Sequence, residues 1–324
     1  MKITSVCPYF YGGGAEIMWS KIANHTKENF DFEHIVSLYQ RKFDKSFLKE
    51  FSVPVKIVES DEFLSDIVSD IVVCWGPVKL LKKPKSNWIF FAHSEVSVNS
   101  LNIIRDYCFL TWSVSDFLKK NVCSGKNSLI IPVGVDESKL KNGKSLREQL
   151  GFSDNDIIVG FVGHFTKNKN YDKVIDSMNL LPNHFKCLMV GKGDYIVQND
   201  RVKCIYLKNE NIASAYLTFD YMVLPSIYEG LPQVMWECME KKIPFMTTAC
   251  GSQVDFIKHD INAIKIKPSA ESIAKECLRL SKNKKLRSYI THNAYLMYLK
   301  NGTFDSTIES FKRAVKISCN MKVF

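Results

Sequence analysis

The chain lacks long apolar runs, closely spaced cysteine pairs and histidines at helical spacing, and each absence removes a class of function. Stretches such as Ile71 to Trp75 and Trp88 to Ala92 end within a few residues, far short of the ~18 that a membrane span requires, so a soluble protein is expected. The ten cysteines form no C-x-x-C pair, and Cys7, Cys74, Cys108, Cys187 and Cys238 sit inside apolar segments. That pattern favours reduced, buried thiols in a cytosolic protein over a disulfide framework. None of the seven histidines falls into an H-x-x-x-H or H-E-x-x-H spacing, and none pairs with cysteine at zinc spacing, so no metal is expected. A G-x-S-x-G nucleophile elbow is absent as well. With 15 Gly, 10 Pro, 46% hydrophobic and 24% charged residues, the composition is neither disordered nor collagenous. No internal repeat marks an array.

What remains is an ordinary folded chain of 324 residues, long enough for two domains of roughly 150 residues each. At the N-terminus, Lys2 precedes an apolar stretch, but Pro8, the Gly12-Gly13-Gly14 run and Glu16 take the place of a secretory h-region and cleavage site. A first β-strand is the expectation there. Short β-branched or aromatic runs then alternate with longer amphipathic ones. The strand candidates of the first half are Ile3 to Phe10, Phe32 to Tyr39, Val55 to Val58, Ile71 to Trp75, Trp88 to Ala92, Phe109 to Ser113 and Leu129 to Pro132, with a helix from about Ala15 to Lys27. Val135 to Asp156 turns polar. A second alternation follows, with strands at Ile157 to Val162, Lys186 to Val190, Val202 to Tyr206, Tyr221 to Leu224 and Phe245 to Thr247, and helices near Tyr171 to Asn179 and Pro232 to Glu240. This rhythm predicts an α/β protein of two Rossmann-like domains, residues 1–140 and 141–302, with residues 303–324 an amphipathic helix returning to the first domain.

The formal charge is +10, which attracts nucleic acid, anionic lipid or phosphorylated substrates. Residues 1–150 hold 20 Lys+Arg against 17 Asp+Glu, and the remainder holds 24 against 17. The excess is therefore C-terminal, and five basic residues from Arg279 to Arg287 (Arg279, Lys282, Lys284, Lys285, Arg287) read as one helical stretch. Such a run is usually a solvated face.

In open α/β sheets, ligands bind beyond the carboxyl ends of the strands. The first such loop, Tyr11 to Glu16, would bring glycine backbone and a helix N-terminus to a phosphate, with Gly13 and Gly14 as candidate donor-binding residues. It is no dinucleotide fingerprint, because Ile17 occupies the place of the third glycine. A tight turn is the plain alternative. The densest segment is Leu224 to Met239, where a strand ends, Glu229 and Gly230 follow in a loop, and Pro232 suits the first turn of a helix containing Glu237. Glu229 and Glu237 thus bracket one helix end, as a diphosphate with a sugar at one carboxylate and a ribose at the other would require. Two glutamates alone would more often be surface charge. Asp154-Asn155-Asp156 spells a D-x-D string but reads as a turn before a strand.

Taken with its surroundings, this segment resembles the E-x7-E motif of retaining GT-B glycosyltransferases, the family 4 group, with Glu229 and Glu237 in its acidic positions. Similar elements recur along most of the chain. They are Ile131-Pro132-Val133-Gly134-Val135-Asp136, Val162-Gly163 followed by Lys169, Tyr216 to Glu229, Ala249 to Ile257, and the Gly12-Gly13-Gly14-Ala15-Glu16 loop. The resemblance implies two domains facing each other across a cleft, with the donor held mainly by the second. It implies that Lys169 neutralises the donor diphosphate, that Glu229 holds sugar hydroxyls, and that Glu237 accepts ribose hydroxyls. Backbone N–H groups around Gly230, Leu231, Gln233 and Val234 would cradle phosphate, though Pro232 cannot donate. His93, in Phe91-Ala92-His93-Ser94-Glu95, looks like the family's active-site histidine, against the plain reading of a core histidine. The chain departs from the family where His164 takes the place of the usual arginine, supplying less charge near pH 7. It departs again where Ser252 and Asp255 replace the commoner Gly and Glu, and in its short first half.

The implied activity is metal-independent, retaining transfer of a sugar from a UDP- or GDP-linked donor to a glycan or lipid-linked saccharide, with no cofactor. The expected site is the cytoplasm, with peripheral association at the anionic inner membrane face. Transfer to modified bases of phage DNA also fits the basic charge, and its affinity for DNA would fall steeply with salt. A nucleotide-sugar epimerase of similar architecture would consume donor without acceptor. A silent nucleotide-binding module would hydrolyse none.

Overall fold

The computed structural model describes residues 1–7, 14–37, 45–76, 78–93, 97–104, 106–193, 199–208 and 211–321. The chain divides into two compact units, one of Met1–Val133 with Asp305–Phe324 and the other of Gly134–Phe304.

In the first unit, β1 (Lys2–Cys7), α1 (Gly14–Thr26), β2 (Asp31–Ser37), β3 (Val55–Val58), β4 (Ile71–Cys74), β5 (Trp88–Ala92), α2 (Ser97–Ile104), β6 (Cys108–Ser113), α3 (Asp116–Asn121) and β7 (Ser128–Ile130) follow in order. All strands run parallel, in the order β3-β2-β1-β4-β5-β6-β7. The central strands β4 and β5 are buried at every position, which is why they read as unbroken apolar runs rather than alternating ones. At the edge, β3 places Lys56 toward solvent, a charge that discourages further strand pairing.

The second unit holds α4 (Ser138–Lys141), β8 (Ile157–Val162), α5 (Tyr171–Ser177), β9 (Phe185–Val190), β10 (Val202–Ile205), α6 (Ile212–Tyr216), β11 (Tyr221–Leu224), α7 (Gln233–Glu240), β12 (Phe245–Thr247), β13 (Ile264–Lys265), α8 (Ala270–Ser281) and α9 (Lys284–Asn301). Its parallel sheet has the order β10-β9-β8-β11-β12-β13. The protein is thus α/β, with two Rossmann-like parallel sheets. In each, the strand order reverses between the first strand and the fourth, β1/β4 and β8/β11, and those are the switch points where ligands collect. The last helix, α10 (Phe304–Asn320), belongs from Asp305 onward to the first unit. Its Phe311 lies 5.7 Å from the ring centroids of both Trp19 and Trp112 and 6.1 Å from Phe32. Ser318 Oγ accepts from Trp112 Nε1 at 3.2 Å.

Three expectations need correction. The division falls after Val133 rather than after residue 140, because Val135 N–H donates to Gly302 O at 2.8 Å and pairs with Thr303, while Leu140 is buried in the second core. The basic stretch from Arg279 to Arg287 is not one helix. Asn283 interrupts it as the N-cap of α9, its side chain accepting from Leu286 N–H at 2.9 Å. Pro232 stands at the N-cap of α7 rather than inside its first turn. The ends of the first two strand candidates, residues 8–10 and 38–39, lie outside the described residues. Asp154-Asn155-Asp156 forms a turn, with Asp156 Oδ2 accepting from Ser153 N–H at 2.8 Å.

Candidate active site

Three loops at the carboxyl ends of β8, β11 and β12 are bonded into one block. The first runs from Gly163 to Asn170, the second from Pro225 to Gly230 and the third from Thr248 to Ser252. Asn168 clasps the second loop from both sides, its Nδ2 donating to Tyr228 O at 3.0 Å and its Oδ1 accepting from Tyr228 N–H at 3.1 Å. Ile227 N–H donates to Asn168 O at 2.8 Å, and Asn170 Nδ2 donates to Pro225 O at 3.0 Å. Asn170 does so with φ 45°, a left-handed conformation that asparagine tolerates better than most residues. From the other side, Thr248 Oγ1 donates to Ser226 O at 2.6 Å and Ser252 N–H to Gly230 O at 3.2 Å. Gly251, at φ 57°, approaches so closely that a Cβ there would lie 1.8 Å from Glu229 O. Ala249 holds φ 51° in the same loop, local strain of the kind that accumulates where a site must be held fixed.

This frame sets one ion pair across the switch point of the second sheet. Lys169 Nζ lies 2.5 Å from Glu229 Oε1, which also accepts from Ser226 Oγ at 2.6 Å. Glu229 is only 8% exposed, so its charge is stabilised by a cation and a hydroxyl rather than by water. Immediately after it, α7 begins, and its first-turn N–H groups and partial positive charge favour an anion. Glu237 sits in the second turn of that helix, 3% exposed. One of its oxygens is bonded by Lys139 Nζ from α4 and the other by the Tyr216 hydroxyl from the end of α6. Burial and the neighbouring Glu237 carboxylate push the Tyr216 phenol well above its ordinary range, so it stays protonated as a donor.

The structure therefore brings Lys169, Glu229 and Gly230 together at the start of α7. Leu231 leads into it, Gln233 and Val234 open it, and all three are partly exposed. His164 follows β8 with its side chain exposed. Gly14 is the first residue of α1, whereas Gly13 lies outside the described residues. His93 belongs to the first unit, two positions beyond Phe91, whose ring it tilts against at 4.2 Å, and it meets Trp75 edge-on at 5.9 Å. Burial lowers its pKa to about 4, so the ring is neutral near pH 7. Lys139, Tyr216, Ser226 and Asn168 were not singled out as functional by sequence reasoning. Lys139 and Glu237 are separated by 98 positions, and no local spacing announces such a pair. Among the described residues, no group of three or more His, Cys, Asp or Glu side chains converges as a metal site.

Comparison with known proteins places these loops in context. Residues 143–297 match the family described as Glycosyl transferases group 1. An uncharacterized glycosyltransferase of Methanocaldococcus jannaschii, MJ1607, is 26% identical over 234 residues, 64% of this chain and 60% of that protein. The putative teichuronic acid biosynthesis glycosyltransferase TuaC of Bacillus subtilis is 26% identical over 164 residues, 48% of this chain and 42% of the relative. The matches thus span about half the length of these curated relatives. Among solved structures, Anabaena Alr3699/HepE in complex with UDP and glucose superposes with a TM-score of 0.79 at 15% identity, over 98% of this chain and 100% of the other. That likeness shows the fold. The two parallel-sheet units share the GT-B fold, and the Lys169–Glu229 pair lies within the residues 143–297 that are similar to the glycosyl transferases group 1 family.

Proposed function

We propose that the protein is a retaining glycosyltransferase, moving a sugar from a nucleoside-diphosphate donor to a glycan or lipid-linked saccharide without a metal. The observation that carries this reading is the Lys169–Glu229 pair, fixed across the β8/β11 switch point beside the N-terminus of α7. The relatives support it in kind, since HepE has been solved with UDP and TuaC is named for teichuronic acid biosynthesis.

In this reading the diphosphate lies against the first turn of α7, where backbone N–H groups from Leu231, Gln233 and Val234 meet its oxygens. The Lys169 ammonium turns from Glu229 toward the diphosphate, and Glu229, relieved of its partner, accepts hydroxyls of the sugar. Glu237 accepts the ribose hydroxyls, with Lys139 and Tyr216 holding its carboxylate in place. As the bond from the anomeric carbon to the diphosphate oxygen breaks, its electron pair stays on the phosphate, and Lys169 stabilises the growing charge. The acceptor hydroxyl forms the new bond and its proton passes to the released phosphate. His93, neutral near pH 7, contributes a hydrogen bond to the sugar rather than a charge. His164, exposed beside the phosphate position, supplies an N–H where a guanidinium would be stronger.

A thermal-shift screen of UDP, GDP, ADP and their sugars tests the reading. Ligands that bind only the native state raise its melting temperature by mass action, so one nucleoside diphosphate and its sugar should do so selectively. With that donor and a saccharide acceptor, NMR should show the anomeric configuration conserved. Inversion would refute the retaining assignment, and consumption of donor to an isomeric nucleotide sugar without acceptor would make the protein an epimerase.

A further inference from the structure

The outer face of α9 combines lysines with exposed apolar side chains. Between Glu276 and Asp305 the chain has no acidic residue and six basic ones, Arg279, Lys282, Lys284, Lys285, Arg287 and Lys300. Two of the six are spent inside the fold. Arg279 bonds Asp260 and Glu276, and Arg287 bonds the Leu280 and Ser281 carbonyls at the end of α8. The other four, all lysines, are exposed.

The exposed residues of α9 are not scattered around the helix. At about 100° per residue, all of them but Lys284 (Lys285, Ser288, Tyr289, His292, Leu296, Leu299 and Lys300) fall within about 60° of one line. Buried Ile290, Ala294 and Tyr298 lie on the opposite side. The stripe is about 22 Å long at 1.5 Å per residue. Between Lys285 and Lys300 at its two ends, Tyr289, Leu296 and Leu299 are 54%, 50% and 49% exposed. α10 offers a contrast within the same chain. Its solvent side mixes Asp305 and Glu309 with Arg313 and Lys316, and Lys312 pairs with Glu309 at 3.6 Å.

We propose that this stripe seats the protein on an anionic membrane surface, with Tyr289, Leu296 and Leu299 entering the headgroup boundary and Lys285 and Lys300, together with Lys282 just before the helix, reaching the lipid phosphates. An exposed apolar line flanked only by lysines is what an interfacial helix presents. Among the described residues no helix is long and apolar enough to cross a membrane, and the proposed contact is a peripheral one. A second copy of this chain is a poor occupant. Packing the stripes antiparallel sets Lys285 against Lys300 of the second copy, and packing them parallel sets Lys285 against its own counterpart. Neither arrangement supplies an acid to neutralise them.

The test is co-sedimentation of the full chain with vesicles of phosphatidylcholine, alone or with about one third phosphatidylglycerol. Because it reads binding and not transfer, its outcome is independent of the donor reading. The expected result is binding to the anionic vesicles only, released at high salt as screening shortens the reach of the lysines. Neutralising Lys282 and Lys285 together as K282Q/K285Q should weaken partitioning about 25-fold, from roughly five-fold per lysine. Leu296→Asp and, independently, Leu299→Asp should each abolish it while keeping the wild-type melting temperature, since both side chains are half exposed. No binding to anionic vesicles, equal binding to neutral ones, or undiminished binding by these variants would overturn the proposal. So would a dimer in solution that Leu296→Asp dissolves.

Discussion

Lys139, on a one-turn helix at the start of the second unit, donates through Nζ to Oε1 of Glu237 on α7, while the Tyr216 hydroxyl takes the other oxygen. The carboxylate that the resemblance assigns to the ribose is therefore held before any nucleotide arrives. Removing the lysine leaves a buried charge with one neutral donor. Lys139→Met should cost about 3 kcal/mol of stability and raise KM for the donor more than it lowers kcat. The double variant Lys139→Met/Glu237→Gln should regain most of the stability in urea denaturation without regaining donor affinity. Recovery of both would mean that Glu237 has only a structural role.

Gly251 tests the frame rather than the charges. A Cβ at this position would meet Glu229 O at 1.8 Å, and the φ of 57° is itself unfavourable for alanine. The Glu229 loop must shift to admit it. Gly251→Ala should lower transfer at least ten-fold, and the donor-induced rise in melting temperature should shrink with it. Unchanged kinetics would show that the position of the Glu229 backbone is not critical.

Gly134 makes a corresponding prediction for the segment where the chain enters and leaves the second unit. A Cβ there would stand 2.3 Å from Thr303 O and 2.4 Å from Gly302 O, and backbone atoms cannot turn aside as a side-chain tip can. Gly134→Ala should destabilise by about 1–3 kcal/mol, read from denaturant midpoints, and it should separate Val135 from Thr303.

Buried His34 and half-buried His93 give a pH dependence. Burial lowers His34 to about 3 and His93 to about 4, against 6.5 in the unfolded chain. Below pH 6.5 the unfolded state binds protons that the native state refuses, so their contribution is complete above that pH and is lost as pH falls toward 4 and then 3. Each should remove about 1.4 kcal/mol per pH unit in that window. Urea midpoints at pH 7 and pH 5 measure the slope, and His34→Gln should remove about half of it. A slope unaffected by replacing either histidine would contradict this origin.

Much of the architecture was legible because burial on both faces of a parallel sheet leaves an unbroken apolar run. Val55–Val58, Trp88–Ala92, Ile157–Val162, Tyr221–Leu224 and Phe245–Thr247 coincide with the strands observed. The two-residue strand Ile264–Lys265 carries too little pattern to be seen. The break between α8 and α9 escaped notice because it rests on one asparagine cap inside a continuous basic stretch. At the site, Glu229 and Glu237 stood out through their places around a strand end and a helix start, and Lys169 through the family resemblance. Lys139, Tyr216 and Asn168 did not, since each acts on a partner brought close only by the fold, 98, 21 and 60 positions away. The Val133–Gly134 boundary was hidden in the same way, because Val135 is claimed by Thr303.

The central claim concerns Lys169 and Glu229, and the double variant Lys169→Met/Glu229→Gln measures it most directly, because it removes both charges and leaves neither one buried alone. Its melting temperature should stay within a few degrees of wild type, its transfer should fall by at least about a hundred-fold, and no nucleoside diphosphate or nucleotide sugar should raise its melting temperature. Near-normal transfer, or a donor-induced shift as large as that of the unaltered protein, would contradict the account.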